Sequence, residues 1–237
     1  MKIVLLICLL LLAIFLYENY LTRSRIAVGV RLANEAIPFE RIGTSRRILV
    51  IGDSTAVGTG AGENQYSLAG LVGKSYPDAT IVNKGVNGAK THELIGRLQD
   101  MDQHFDLVMI HIGGNDIVRF TNLAQLTEDI AEVLAIATEK GDVVTLTTTG
   151  NVGTARLLPF GTRWLFEKRT RQVREIFMKA AQERNVVYND LFREKDKDPF
   201  AKDPLKYYAE DIFHPSNIGY ADWYAIIELG IKKALEK

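Results

Sequence analysis

Short apolar runs and helix-period stripes alternate along this chain from Arg47 onward. Ile48-Leu49-Val50-Ile51 is a continuous apolar run that stops at Gly52, the pattern of a strand buried on both faces. Thr80-Ile81-Val82, Leu107-Val108-Met109-Ile110, Val143-Val144-Thr145-Leu146 and Val186-Val187-Tyr188 read the same way. Helical patterns lie between them. Tyr66 to Tyr76 and Thr91 to Leu98 are two short ones. Leu123, Leu126, Ile130, Val133, Leu134 and Ala137 form a stripe at helical spacing. Phe166, Val173, Phe177 and Ala180 mark a long helix, and Ile218 to Leu235 closes the chain as another. Five strands alternating with helices predict an α/β fold with a parallel sheet covered on both faces. In such a sheet a site forms beyond the carboxyl ends of the strands.

The N-terminus is patterned differently. Ile3 to Leu16 holds no charge, proline or glycine, and Lys2 is the one charged side chain before it. As a helix this run rises about 21 Å, short of a ~30 Å hydrocarbon core. The length fits a signal-peptide core, or a short anchor helped by Tyr17, Tyr20 and Leu21 at an interface. Tyr17-Glu18-Asn19-Tyr20-Leu21-Thr22-Arg23 lacks the small residues of a cleavage site, so residues 1–21 read better as a retained anchor. Cys8 does not make a lipoprotein signal, because it sits inside the apolar run behind bulky Ile7. Residues 22–46 read as a linker or entry segment, and 47–237 as the globular domain. Arg23, Arg25 and Arg31 outnumber Lys2 plus the amino terminus, which favours a cytoplasmic domain.

Composition adds limits. The chain has 237 residues, 47% hydrophobic and 24% charged, ordinary for a folded protein. Twenty-nine basic residues balance 29 acidic ones, so charge gives no reason to expect a nucleic-acid partner. With Cys8 as the only cysteine, no intrachain disulfide can form.

Three motifs carry candidate chemistry: Gly52-Asp53-Ser54-Thr55, Gly113-Gly114-Asn115-Asp116 and Asp211-Ile212-Phe213-His214. Ser54 follows strand one, Gly88 strand two and Asn115 strand three, while His214 follows the long connection after strand five. All therefore fall on the site side of the sheet. Ser54 offers a hydroxyl that needs an adjacent base to become a nucleophile. His214 can be that base, with Asp211 three residues earlier placed to accept from one ring nitrogen. Pro215 restricts His214 to extended geometry, and Ser216 or Asn217 can cap the last helix. Asn115 offers two uncharged N–H donors. The surroundings of Ser54 are not Gly-x-Ser-x-Gly, which excludes the α/β-hydrolase elbow.

In order and together, these blocks resemble the SGNH hydrolases, also called GDSL lipases and esterases, over about Arg47 to Leu235. Thr55 stands where the family often has leucine. Asn83-Lys84-Gly85-Val86-Asn87-Gly88 resembles the family's second block. The resemblance implies a three-layer α/β/α sandwich of flavodoxin-like type with a five-stranded parallel sheet. It also implies a serine ester hydrolase in which Ser54, Asp211 and His214 are catalytic. Ser54 N–H, Gly88 N–H and Asn115 would then form the oxyanion hole, with Gly85 as the competing choice for the glycine. Asp53 and Asp116 would orient the loops. Secreted and envelope members are common in the family, which points to an envelope location against the arginine count. Release into the periplasm or medium after cleavage is the alternative.

No metal-ligand spacing such as His-Glu-x-x-His occurs, and Gly58, Gly60 and Gly62 lack the Gly-Lys-Ser/Thr ending of a phosphate loop. Those glycines suggest a mobile loop beside the nucleophile, and no cofactor is expected. His92 and His104 read as surface residues and His111 as a strand residue. Leu157-Leu158-Pro159-Phe160 and Trp164-Leu165 follow strand four on the site side, so Phe160 and Trp164 are candidates to line an acyl pocket or touch lipid. The expected substrate is a lipid or other acyl ester, lysophospholipid-like esters included. The alternatives are an acetyl ester on an envelope glycan, acyl transfer to another alcohol, and a tethered binding module without turnover.

Overall fold

A computed structural model describes residues 2–235. The elements, in order, are α1 (Lys2–Glu35), β1 (Arg47–Gly52), α2 (Ser54–Val57), α3 (Leu68–Ser75), β2 (Thr80–Gly85), α4 (Glu93–Gln99) and β3 (Phe105–His111). Then come α5 (Gly114–Val118), α6 (Leu123–Lys140), β4 (Gly141–Thr147), α7 (Arg163–Glu183) and β5 (Val187–Asn189). Two single turns, α8 (Pro199–Lys202) and α9 (Pro204–Tyr207), precede α10 (Asn217–Leu235).

The five strands form one parallel sheet in the order β2-β1-β3-β4-β5. Helices α3 and α10 pack together on one face, and α4, α6 and α7 on the other, which makes the expected three-layer sandwich. The continuous apolar runs have their physical cause here. Ile48 to Ile51 and Leu107 to Ile110 are central and covered on both faces, so no position in them can be polar without losing contacts. The order reverses between β1 and β3, and the carboxyl ends on either side of that switch carry Gly52 and His111.

The segment 22–46, expected as a linker or entry segment, is helical as far as Glu35. Helix α1 does not end with the apolar run but continues to Glu35, where Pro38 disfavours helical geometry at the residue before it. Its apolar half stands clear of the domain, with Ile3, Leu6 and Phe15 all more than 60% exposed. Its second half lies against the domain. Beyond it, Arg41 pairs with Ile81 in a short antiparallel bridge that covers the free edge of β2. The Arg41 guanidinium also donates to the carbonyls of Gly73, Tyr76 and Ala79.

Candidate active site

Strand β1 ends in a turn that only glycine permits. At Gly52 a Cβ would lie 1.7 Å from the His111 carbonyl oxygen. Asp53 then caps α2, accepting from the Thr55 N–H and hydroxyl at 2.9 Å each. It also accepts from the Gly114 backbone, so one carboxylate ties the Ser54 turn to the Asn115 loop. Burial pushes the Asp53 pKa up, and these donors and His214 offset part of that rise. Ser54 is the first residue of α2 and is 8% exposed.

The third motif folds as a tight turn. Asp211 is 1% exposed, and its Oδ1 accepts the N–H groups of Phe213 and His214 at 3.0 Å each. Ile212 adopts φ 53°, a conformation costly for a β-branched side chain, on the order of 1–3 kcal/mol. Backbone bonds from Ile212 N–H to Ala209 O and from Ala209 N–H to His214 O hold it there. The result aligns three side chains. Asp211 Oδ2 lies 2.5 Å from His214 Nδ1, and His214 Nε2 lies 3.0 Å from Ser54 Oγ. With Nδ1–H donating to the carboxylate, Nε2 is the acceptor facing the serine hydroxyl.

Asn115 is the second residue of α5, which Gly113 caps and Gly114 opens. Its side-chain amide, the Ser54 N–H and the Gly88 N–H have no hydrogen-bond partner among the described residues. Gly85 is different. Its N–H donates to Asn83 Oδ1 at 2.9 Å, and a Cβ there would sit 2.6 Å from the Val57 nitrogen. Gly85 therefore serves packing against α2, and Gly88, at φ 80°, is the glycine with a free donor beside Ser54. Asp116 is fully buried and accepts from the Thr91 N–H and hydroxyl at 3.0 and 2.7 Å, tying the Asn115 loop to the loop after Gly88. Asn87 takes the Thr59 hydroxyl at 2.7 Å and donates to Ala33 O of α1 at 2.9 Å.

Two spaces open beside Ser54 and His214. A narrow pocket of about 50 Å³ is lined by Asn151, Asp198, Phe200, Tyr208 and Trp223. Burial raises the Asp198 pKa to about 6, against the lowering effect of the Phe200 N–H and Arg193. An open groove of about 380 Å³ lies on the other side, lined by Gly88, Val118, Leu157, Leu158 and five residues of α1. Ser54, Asn115 and His214 line both.

Several expectations need correcting. Trp164 lines neither space; it stands on the first turn of α7, off the buried face of Val173 and Phe177, and is 63% exposed. The side chain of Phe160 lies outside the described residues. The Gly58–Gly62 loop is packed rather than loose: Thr59 and Ala61 are buried, and Tyr220 donates to Thr59 O at 2.8 Å. Gly60 approaches so closely that a Cβ would lie 2.6 Å from Pro215 O. His92 and His104 do lie at the surface, paired with Asp129 at 3.0 Å and Asp142 at 2.8 Å. His111 is buried, which lowers its pKa to about 3 and keeps it neutral. Among the described residues no group of three or more metal-ligating side chains occurs.

The sequence reading missed Arg25, Ile26, Gly29, Val30 and Ala33. Their signal was present: positions 26, 29, 30 and 33 share one helical face. It also missed Asp198 and Trp223, which no local pattern joins to Ser54.

Compared with known proteins, the chain matches the model of the GDSL-like Lipase/Acylhydrolase family over residues 50–221. No curated protein sequence gives a significant match. Solved structures do. A lipolytic protein of the G-D-S-L family from Veillonella parvula aligns at TM-score 0.63 and 17% identity, covering 78% of this chain and 97% of its own. A psychrotrophic esterase from Pseudoalteromonas aligns at 0.59 and 14%, covering 81% and 100%. An acetyl xylan esterase from Geobacillus stearothermophilus aligns at 0.53 and 22%, covering 82% and 96%. These likenesses establish a shared fold.

Proposed function

For a chain that belongs to the GDSL-like lipase/acylhydrolase family and is an ester hydrolase of the GDSL type, we propose a serine mechanism centred on Ser54. The observation that carries it is the alignment Asp211–His214–Ser54 at 2.5 and 3.0 Å, facing three unpaired donors. Ser54 Oγ bonds to the ester carbonyl carbon while His214 Nε2 takes its proton. The carbonyl oxygen becomes an anion, held by Ser54 N–H, Gly88 N–H and the Asn115 amide. His214 then protonates the departing alcohol as the C–O bond breaks. Water, deprotonated by His214, attacks the acyl-enzyme, and release of the acid returns the proton to Ser54.

The substrate we propose is a lipid or other long-chain acyl ester. The open groove supports it, with Ile26, Val30, Val118, Leu157 and Leu158 beside the reacting pair. The narrow pocket supports a second reading, an acetyl ester on a glycan, since small size and polar Asn151 and Asp198 suit a short acyl group beside a sugar. Residues 2–35 form a single helix with no buried residue, long and apolar enough to cross a membrane. A signal sequence has the same character; we propose a retained anchor that places residues 47–237 at the cell envelope.

The test is turnover of p-nitrophenyl esters from acetyl to dodecanoyl by the full chain and its Ser54→Ala variant. Turnover lost in the variant is the expected result. Equal turnover in both would remove Ser54 from the mechanism.

A further inference from the structure

Helix α1 does more than lead into the domain. Its second half touches the parts of the candidate site that come from distant loops. A Cβ at Gly29 would sit 3.0 Å from Asp211 Oδ2, so glycine there lets the helix backbone close over the buried carboxylate. Ala33 O accepts from Asn87, the residue before Gly88, and Arg31 pairs with Glu210, the residue before Asp211. Arg25 donates to Arg156 O at the other end of the groove. Arg25, Gly29 and Ala33 themselves line the groove, while Arg31 reaches Glu210 from outside it.

That face has a direction. Ala33 lies beside Asn87 and Gly88, and Ile26 lies nearer the exposed apolar half of the same unbroken helix. From Ala33 to Ile26 the helix runs about 10 Å, and from Ile26 to Leu21 about 8 Å more. A helix without proline or a break fixes the groove's far end just beyond the apolar segment. Ile26 and Val30 line the groove yet remain 50% and 56% exposed, so their apolar surface is unfilled. The domain surface at the same end is suited to lipid. Arg163 lies close enough to Glu18 and Arg25 to feel their charges, and next to it Trp164 is 63% exposed and Leu165 38%. An exposed tryptophan beside arginine, where an apolar helix leaves the domain, matches the composition of a membrane–water interface.

We propose that α1 is one wall of an acyl-chain groove whose far end opens at the bilayer, so that the enzyme draws long-chain esters from the lipid phase. The inference rests on the serine mechanism above, and it gives the anchor a part in substrate selection. Trp164 and Leu165 seat the domain with that opening against the lipid. Ile26 and Val30 hold the chain as its ester reaches Ser54.

The experiment uses the full chain in phospholipid–detergent micelles, with Val30→Trp and, separately, Ile26→Trp. Both positions are half-exposed, so the larger ring does not disturb the core, and melting curves check this. The readout is the ratio of kcat/KM for p-nitrophenyl decanoate to that for the acetate. Filling the groove is expected to lower this ratio about 10-fold or more. An unchanged ratio in both variants would overturn the groove. Absence of any Ser54-dependent turnover in the unaltered chain would instead overturn the mechanism on which it rests. For entry from the bilayer, the chain is reconstituted in vesicles with a fluorogenic palmitoyl ester in the same or in separate vesicles. Faster turnover in the same vesicles is expected, and equal rates would overturn the membrane route.

Discussion

The narrow pocket and the open groove share Ser54, Asn115 and His214 but differ in origin. The pocket is built wholly from the globular domain, by Asn151 after β4, Asp198 before α8 and Trp223 of α10. The groove takes its outer wall from α1, and its volume is about 380 Å³ against about 50 Å³. On the proposed function the pocket would act by excluding larger groups, since there is little space to fill. On the same reading the groove would select by contact, because an unoccupied apolar face gains about 25 cal/mol for each Å² that a chain covers. In the proposed function the domain thus supplies the chemistry and a small-group limit, and the helix supplies affinity for long chains.

Three changes sharpen or break that comparison. The largest effect is expected from Asn115→Ala. Asn115 borders both spaces, and loss of one oxyanion donor should lower kcat about 10²–10³-fold for acetyl and decanoyl esters alike, with an unchanged melting temperature. A loss confined to one chain length would assign Asn115 to substrate selection. Next comes Gly150→Val, which fills the narrow pocket, where a Cβ has ordinary contacts at 3.5 Å with Leu191 O and Trp223. It should lower kcat/KM roughly 10-fold for every ester, with the chain-length ratio kept, an approximate figure for one misplaced group. A changed ratio would mean the acyl chain enters the pocket and would dissolve the distinction.

The smallest effect is on stability. Burial raises the Asp198 pKa from 3.8 to about 6, so the folded protein holds a proton there that the unfolded chain releases between these values. Ionised Asp198 thus costs stability progressively as pH rises from 4 to 6, and fully above that. Asp198→Asn keeps the cap on Phe200 N–H and removes the cost. Its melting temperature should rise by roughly 2–6 °C at pH 8 and be unchanged at pH 4. A gain of equal size at both pH values would show that the buried charge is not the cause.

The same two spaces separate what the sequence reveals from what it conceals. The sheet was legible because buried parallel strands leave no room for polar residues, so each appears as a run such as Ile48–Ile51. Ser54, Asn115, Asp211 and His214 were legible because the polar residues follow strand ends or, for Asp211 and His214, lie three positions apart. The choice between Gly85 and Gly88 was not, since it turns on whether Asn83 occupies the Gly85 N–H. The groove was illegible for another reason. Residues 22–35 mix arginines with apolar positions, and their short apolar face has meaning only against Asp211, Asn87 and Leu157, far along the chain. Trp164 misled because an apolar residue after strand four reads as pocket lining, while the turn of α7 directs it outward. Pairs such as His92 with Asp129 are likewise set by how α4 and α6 meet.

The most direct test of the central claim is to treat the full chain with a fluorophosphonate probe and map the adduct by mass spectrometry. An activated serine is phosphonylated while ordinary hydroxyls are not. The account predicts one adduct, on Ser54, that disappears in His214→Ala while the fold persists. A folded, unlabelled protein, or an adduct on another serine, would contradict it.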